Sequence, residues 1–361
     1  MDKWFNVKIV PVVIVSVIIL FCVSDQAYTG TGEIIVTDSY GRQVAVPREV
    51  KRIACLYAFS GHVVAMLGRA DDIVAVVRGL KRDKVLTDLF PSILSATVPN
   101  SNDALNVEEL LSSKPDIVFI KDTIAGSKSD TLKLDKFGIK YLVVHFDSIK
   151  GQMNSVELIG RAVNRDKMAA EYNKYYLDCI SRVKKIVSKI PENKKIRLYH
   201  SILETLKTDG PAGIAAEWTA LAGTYNVSAI GLENKKQSEC FVNIEQVLVW
   251  NPQVIITHED GAREDILGSS QWSSVDAVKN RRIYKMPNGI SRWGHPGSIE
   301  TPLALLWTVK MIYPEYASSI DIEKETRYFY KKFFNYKLSD NMLKDILYGS
   351  GMRKSKKGGN R

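Results

Sequence analysis

The sequence predicts an α/β protein of two similar lobes joined by one long helix. Three observations carry that reading. One is a unit used twice. Asn106-Val107-Glu108-Glu109-Leu110-Leu111 runs through Lys114 and Pro115 to the apolar stretch Ile117–Ile120. Asn243-Ile244-Glu245-Gln246-Val247-Leu248 runs through Asn251 and Pro252 to Val254–Thr257, and the two copies align without a gap. Another is the alternation of short helical and strand-like patterns on either side of residues 151–191, the order that builds mostly parallel sheets. The third is a sustained helical periodicity in mid-chain, where a flexible linker would otherwise join two domains.

Each element has a local reason. In the repeat, asparagine suits an N-cap because its side-chain oxygen accepts from an early helical N–H. Glutamate in the first turn suits the positive end of the helix dipole. Proline stops the helix, and the apolar run beyond it suits a strand covered on both faces. Upstream, Ile34–Val46 alternates around Asp38-Ser39-Tyr40-Gly41-Arg42 and reads as a β-hairpin. Arg52–Tyr57 is a strand, Ser60-Gly61 opens a helix that ends at Leu67-Gly68, and Ile73–Val77 is the next strand. Beyond the first copy, Lys133–Phe137 reads as helix and Tyr141–Phe146 as strand. Met153, Val156, Ile159 and Val163 keep helical spacing, Asn164-Arg165-Asp166 breaks and caps it, and Met168 to Ile190 resume it up to Pro191. That second piece is about 25 residues, roughly 37 Å long, and reads as a strut. The second lobe opens with strand Ile196–His200. Gly210–Gly213 then turns into a helix with Glu217 and Trp218, closed by Ala222-Gly223. After the second copy come strand Arg282–Met286, a Pro287–Pro296 loop, a helix from Ser298 and an aromatic-rich amphipathic segment packing onto that lobe.

The resulting divisions are 1–27 (a signal peptide or N-terminal anchor), 33–150 (the N-terminal lobe), 151–191 (the helical region), 192–349 (the C-terminal lobe) and 350–361 (a basic disordered tail). Lys3 and Lys8 precede an apolar run of roughly 15 residues, shorter than the ~20 of a spanning helix, which fits a secretory signal. Cleavage near Ser24 or Ala27, lipidation at Cys22, or retention as an anchor are all open, and each places the protein in the periplasm or on the outer face of the membrane. Of the net charge of +10, half sits on Arg353, Lys354, Lys356, Lys357 and Arg361, so the body is only mildly basic. No basic stripe with interleaved aromatics marks nucleic-acid binding. Cys55, Cys179 and Cys240 lack metal or redox spacing and read as small buried residues. There is no P-loop, no G-x-G-x-x-G after a strand and no G-x-S-x-G, so the chain reads as a non-enzyme.

The chain resembles the substrate-binding proteins of ABC importers for iron–siderophore complexes, haem and cobalamin, over about residues 34–348. The resemblance rests on Val36–Arg42 with Val46-Pro47 and Arg52-Ile53, Leu67-Gly68 with Ile73–Val76, both copies of the Asn-x-Glu…Pro unit, Leu221-Ala222-Gly223 before Asn226-Val227, and Trp272 with Ala277-Val278-Lys279. It implies two Rossmann-like lobes joined by one backbone helix, the class III periplasmic-binding-protein arrangement, with ligand in the cleft between them. It implies a monomer that delivers a metal chelate, iron–siderophore-type first, to a permease dimer and its ATPase. It implies no cofactor beyond that metal complex. At the family's docking positions stand Glu108 and Glu245. A free or histidine-chelated metal such as nickel, haem or cobalamin are alternative ligands, and a chelatase or nitrogenase-like subunit is a third reading.

Ligands in such folds lie beyond strand carboxyl ends. The candidates there are Tyr57, Phe59, Ser60, His62, Arg78, Asp122 and Thr123 on one lobe, and His200, Glu217, Trp218, His258, Glu259, Arg292, Trp293 and His295 on the other. His62, His200, His258 and His295 are the candidate metal ligands, and the family often has Glu where His62 stands. His145 reads as lying inside a strand. Arg78 and Arg292 suit carboxylate, phosphate or hydroxamate oxygens, and Trp218 and Trp293 offer faces for an apolar chelator.

Overall fold

A computed structural model describes residues 32–101 and 104–349. The 1–27 segment and the 350–361 tail lie outside the described residues.

The two lobes carry the same four-stranded parallel ladder. In the first, strands run in the order Ile73–Val76, Ile53–Cys55, Ile117–Lys121, Tyr141–Val144. In the second, the matching order is Thr224–Asn226, Ile196–Ser201, Val254–Thr257, Ile283–Lys285. The central strands are buried along almost their whole length, as sheets covered on both faces require. The second sheet is extended by two antiparallel strands, Lys207–Asp209 and Glu239–Phe241. These two and Thr224–Asn226 escape sequence reading because each is only three residues long, too short for an alternation to register.

The repeat is a structural clamp in both lobes. Asn106 caps helix Val107–Ser112 through Glu109 N–H at 3.0 Å, and Asn243 caps helix Ile244–Trp250 through Gln246 N–H at 2.9 Å. The residue before each proline is left-handed, Lys114 at φ 45° and Asn251 at φ 41°. At that turn an arginine from the lobe's first strand segment donates to the exposed carbonyls. Arg52 Nη2 reaches Ser113 O at 2.7 Å, and Arg197 Nη2 reaches Asn251 O at 3.0 Å. Asp116 and Gln253, one past each proline, accept from the backbone N–H of those same arginines.

Helices Ile149–Ala162 and Asp166–Val187 connect the lobes, broken at Asn164 (φ 55°). The longer one has 22 residues, about 33 Å. Its N-cap, Arg165, makes no side-chain cap bond, so the expected capping at this break is absent. Tyr172, Tyr176, Cys179 and Val183 bury its inner face. The helix Ile322–Phe334, next to last in the described chain, packs on this strut through Phe329 and Phe333, and it also reaches the first lobe, where Phe334 meets Phe90 at 6.2 Å between ring centres. One apolar cluster therefore runs through both lobes. Burial pushes the thiols of Cys55 and Cys179 up to about 12, whereas Cys240 is only half-buried, against expectation.

Candidate functional site

A cavity of about 400 Å3 lies between the lobes. One wall comes from the first lobe's strand ends: Tyr57 and Phe59 after Ile53–Cys55, Lys121 and Asp122 at the end of Ile117–Lys121, and His145, Phe146 and Asp147 after Tyr141–Val144. Phe59 and Phe146 pack at 4.6 Å between ring centres, with Tyr57 beside both. The opposite wall comes from Gly213, Ser238 and Glu239 and from the loop carrying Ser291, Arg292, His295 and Ser298. Gln152 of the connecting helix ties that loop across the cleft, donating to Ser298 O at 3.1 Å.

The charges are mixed, and several acids are already engaged. His62 Nε2 faces Asp83 Oδ2 at 2.9 Å, and both side chains are nearly buried. His145 Nδ1 faces Asp122 Oδ2 at 3.3 Å, and Glu239 takes Lys207 at 2.6 Å. Arg292 donates to Glu259 at 2.5 Å, its side chain only 15% exposed. Burial and the nearby Asp122 charge hold the Tyr57 phenol above its ordinary range, so it stays a neutral donor.

Of the candidates named from sequence, Tyr57, Phe59, His62, Asp122, Arg292 and His295 line the cavity. Ser60 sits just behind, its hydroxyl donating to Tyr57 O at 2.7 Å. Arg78 and Thr123 are exposed and outside the lining, because the chain turns away after Val76 and Asp122. Glu217 accepts from Ile149 N–H at 2.7 Å and so fastens the strut helix to the second lobe.

Four candidates are corrected. Trp218 and Trp293 are fully buried in the second lobe, not laid against a ligand. The Trp218 indole donates to Gly294 O at 2.8 Å and covers Gly294 (φ 71°), where a Cβ would strike the ring at 2.6 Å. Trp218→Ala should cost about 3–5 kcal/mol in denaturant unfolding, the usual range for emptying a buried aromatic site. His200 and His258 point into the same lobe. His200 Nδ1 meets Asp209 at 2.8 Å, and the two Nε2 atoms lie 2.6 Å apart, sharing a proton. A metal ion needs about 2.0–2.1 Å to each nitrogen, so the pair leaves no room for one. Among the described residues no group of three or more His, Cys, Asp or Glu could hold a metal ion.

His258 is held well below 6.5 by burial first, then by the charges of His200, Arg292 and His295. The unfolded chain then binds protons that the folded chain refuses. Stability is therefore intact above 6.5 and is lost as pH falls through it. Melting temperature should drop between about pH 7.5 and about pH 5.5, and His258→Asn should flatten that slope. An unchanged slope in the variant would place the titration elsewhere.

Sequence reading missed His145, Lys121, Asp83, Ser291 and Ser298. His145 was findable: the strand ends at Val144, so the residue stands at a strand's carboxyl end like the others.

The periplasmic binding protein family profile matches residues 53–289. The molybdate-binding protein MolA of Haemophilus influenzae is 24% identical over 341 residues, covering 88% of this chain and 96% of that protein. A periplasmic solute binding protein of Veillonella parvula superposes with a TM-score of 0.76 at 26% identity, covering 87% of this chain and 97% of that one. A Helicobacter pylori CeuE structure, described as a Ni-His complex, gives a TM-score of 0.71 at 21% identity, covering 87% and 99%. With matched lobes, a connecting helix and a cleft at the strand ends, this chain belongs to the periplasmic binding protein family, the solute-binding components of ABC importers.

Proposed function

We propose that the protein is an exported receptor that captures a compact anionic metal chelate, of the iron–siderophore type, and hands it to an ABC permease. The observation that carries this is one cavity with an aromatic wall of Tyr57 and Phe146, backed by the fully buried Phe59, facing a loop with Arg292 and His295. Aromatic faces suit an organic chelating shell, and a guanidinium suits its peripheral oxygens. The burial of Trp218 and Trp293 removes the broad flat surfaces that a haem or corrinoid would use, and favours a smaller ligand. A bare metal oxyanion is the second reading, favoured by the near full-length relative named for molybdate binding. Three imidazoles on the lining, His62, His145 and His295, keep a histidine-chelated nickel within the same test. Export rests on the N-terminal apolar segment, and among the described residues no helix is long and apolar enough to cross a membrane. Glu108 and Glu245 are both exposed and are proposed as the permease-docking residues.

The test is titration of the purified protein, followed by tryptophan fluorescence and calorimetry. The panel holds a ferric tricatecholate, a ferric trihydroxamate, molybdate, nickel with histidine, haem and cobalamin. Binding of haem or cobalamin alone would overturn the reading.

A further inference from the structure

Two helices that begin at the cavity wall, one from each lobe, lack a side-chain cap. Ala58–Met66, nine residues, follows the first lobe's strand Ile53–Cys55, and Ile214–Leu221, eight residues, stands on the second lobe. Tyr57, Ala58 and Phe59 line one wall of the cavity, and Gly213 and Ile214 line the other. Asn106, Ser148 and Asn243 cap their helices through their side chains, whereas Tyr57 and Gly213, in the same position, make no such bond. The backbone N–H groups of Ala58, Phe59 and Ser60, and of Ile214, Ala215 and Ala216, have no acceptor among the described residues. No acid covers them either. The first turn of Ala58–Met66 holds none, and Glu217 in the other accepts from Ile149 N–H at 2.7 Å. Each helix thus turns open donors and the positive end of its dipole toward the same space.

A side chain independently points to a ligand at this place. The Tyr57 phenol lines the cavity and is largely buried, and its O–H has no partner among the described residues. It reaches across the cleft to Gly297 of the second lobe, where a Cβ would lie 3.7 Å from the phenol oxygen. Lys121 Nζ lies 5.8 Å from the centre of the same ring and adds positive charge to this wall, as Arg292 does to the other. The lining acids are drawn elsewhere: Asp83 to His62, Asp122 to His145 and Glu239 to Lys207, while Asp147 is exposed to solvent. We propose that the ligand is held between the N-termini of Ala58–Met66 and Ile214–Leu221, with the Tyr57 O–H and the Arg292 guanidinium as side-chain donors. Its class is an oxyanion with charge on opposite sides, either free or as the rim of a metal complex. This rests on the anionic reading of the cleft and narrows it, since an anion charged on one face leaves one set of N–H groups unpaired.

The experiment is calorimetric titration of the full chain with molybdate and with a ferric tricatecholate. Preference for the first assigns a free oxyanion, and preference for the second assigns the rim of a complex. Ala58→Pro removes one N–H and keeps the helix. Proline suits the first helical position, and Tyr57, at φ −135° and ψ 129°, already has the backbone that precedes a proline. The variant should bind the preferred anion about tenfold more weakly, the usual loss for one hydrogen bond to a charged group, while its melting temperature does not fall. Tyr57→Phe keeps the ring, loses the O–H and should lose affinity by a similar factor. It decides the matter if Ala58→Pro does not fold. Ala58→Pro combined with Arg292→Ala should lose the product of the two single losses, because the donors stand on different lobes. Wild-type affinity in Ala58→Pro or Tyr57→Phe, or a double variant no weaker than Arg292→Ala, would overturn the two-sided site and leave the anionic reading standing. If wild type binds neither anion, the anionic reading itself falls and the two-sided site with it.

Discussion

Arg292→Ala should weaken anion binding about a hundredfold, the largest loss expected from any single cleft residue. The guanidinium is mostly buried, lines the cavity and is held from behind by Glu259 at 2.5 Å. Hydrogen bonds to a charged group contribute about 1.5–3 kcal/mol each, and about 1.4 kcal/mol is a decade in affinity. A fork making two such bonds is therefore worth two decades. Its removal also leaves the Glu259 carboxylate uncompensated near an anion. Arg292→Lys keeps the charge but loses the fork, and should fall between wild type and alanine. Arg78→Ala, exposed and outside the lining, should bind as wild type does. Calorimetry with the anion panel checks all three; wild-type affinity in Arg292→Ala would sink the role.

The fold was legible because its main signals are local. Asn106 and Asn243 act as N-caps, Pro115 and Pro252 end helices, and the runs after them are buried strands, each as the residue types dictate. The site was only half legible. Strand-end position found Tyr57, His62, Asp122, Arg292 and His295, because ligand loops follow strand ends. The same rule could not tell which strand-end residues turn inward. His200 and His258 stand at neighbouring strand ends, yet an acid from another strand, Asp209, draws them into the lobe. Trp218 looked like a ligand platform and is instead the cover of Gly294, a contact between residues far apart in the chain. Asp83 matters only through His62, 21 residues away, so no local pattern marks it.

The repeat itself leads to the second large effect. Charge reversal of both glutamates, Glu108→Lys with Glu245→Lys, should cut import to below about a tenth while leaving ligand affinity unchanged. Both carboxylates are exposed in the first turn of matched helices, and neither lines the cavity. Each helix is pinned at its start by an asparagine cap and at its end by an arginine, Arg52 or Arg197, so the acids are presented on rigid, equivalent supports. Like charges set against a complementary surface cost several kcal/mol, enough to abolish a transient complex. If the glutamates served only the helix dipole, reversal would cost about 0.3–1 kcal/mol of stability per helix and nothing in transport. The two roles separate cleanly in one comparison: ligand titration and melting of the purified variant against ligand uptake by cells carrying the whole importer. A folded, ligand-competent double variant that imports at the wild-type rate would remove these residues from the docking surface and return the repeat to a purely structural part.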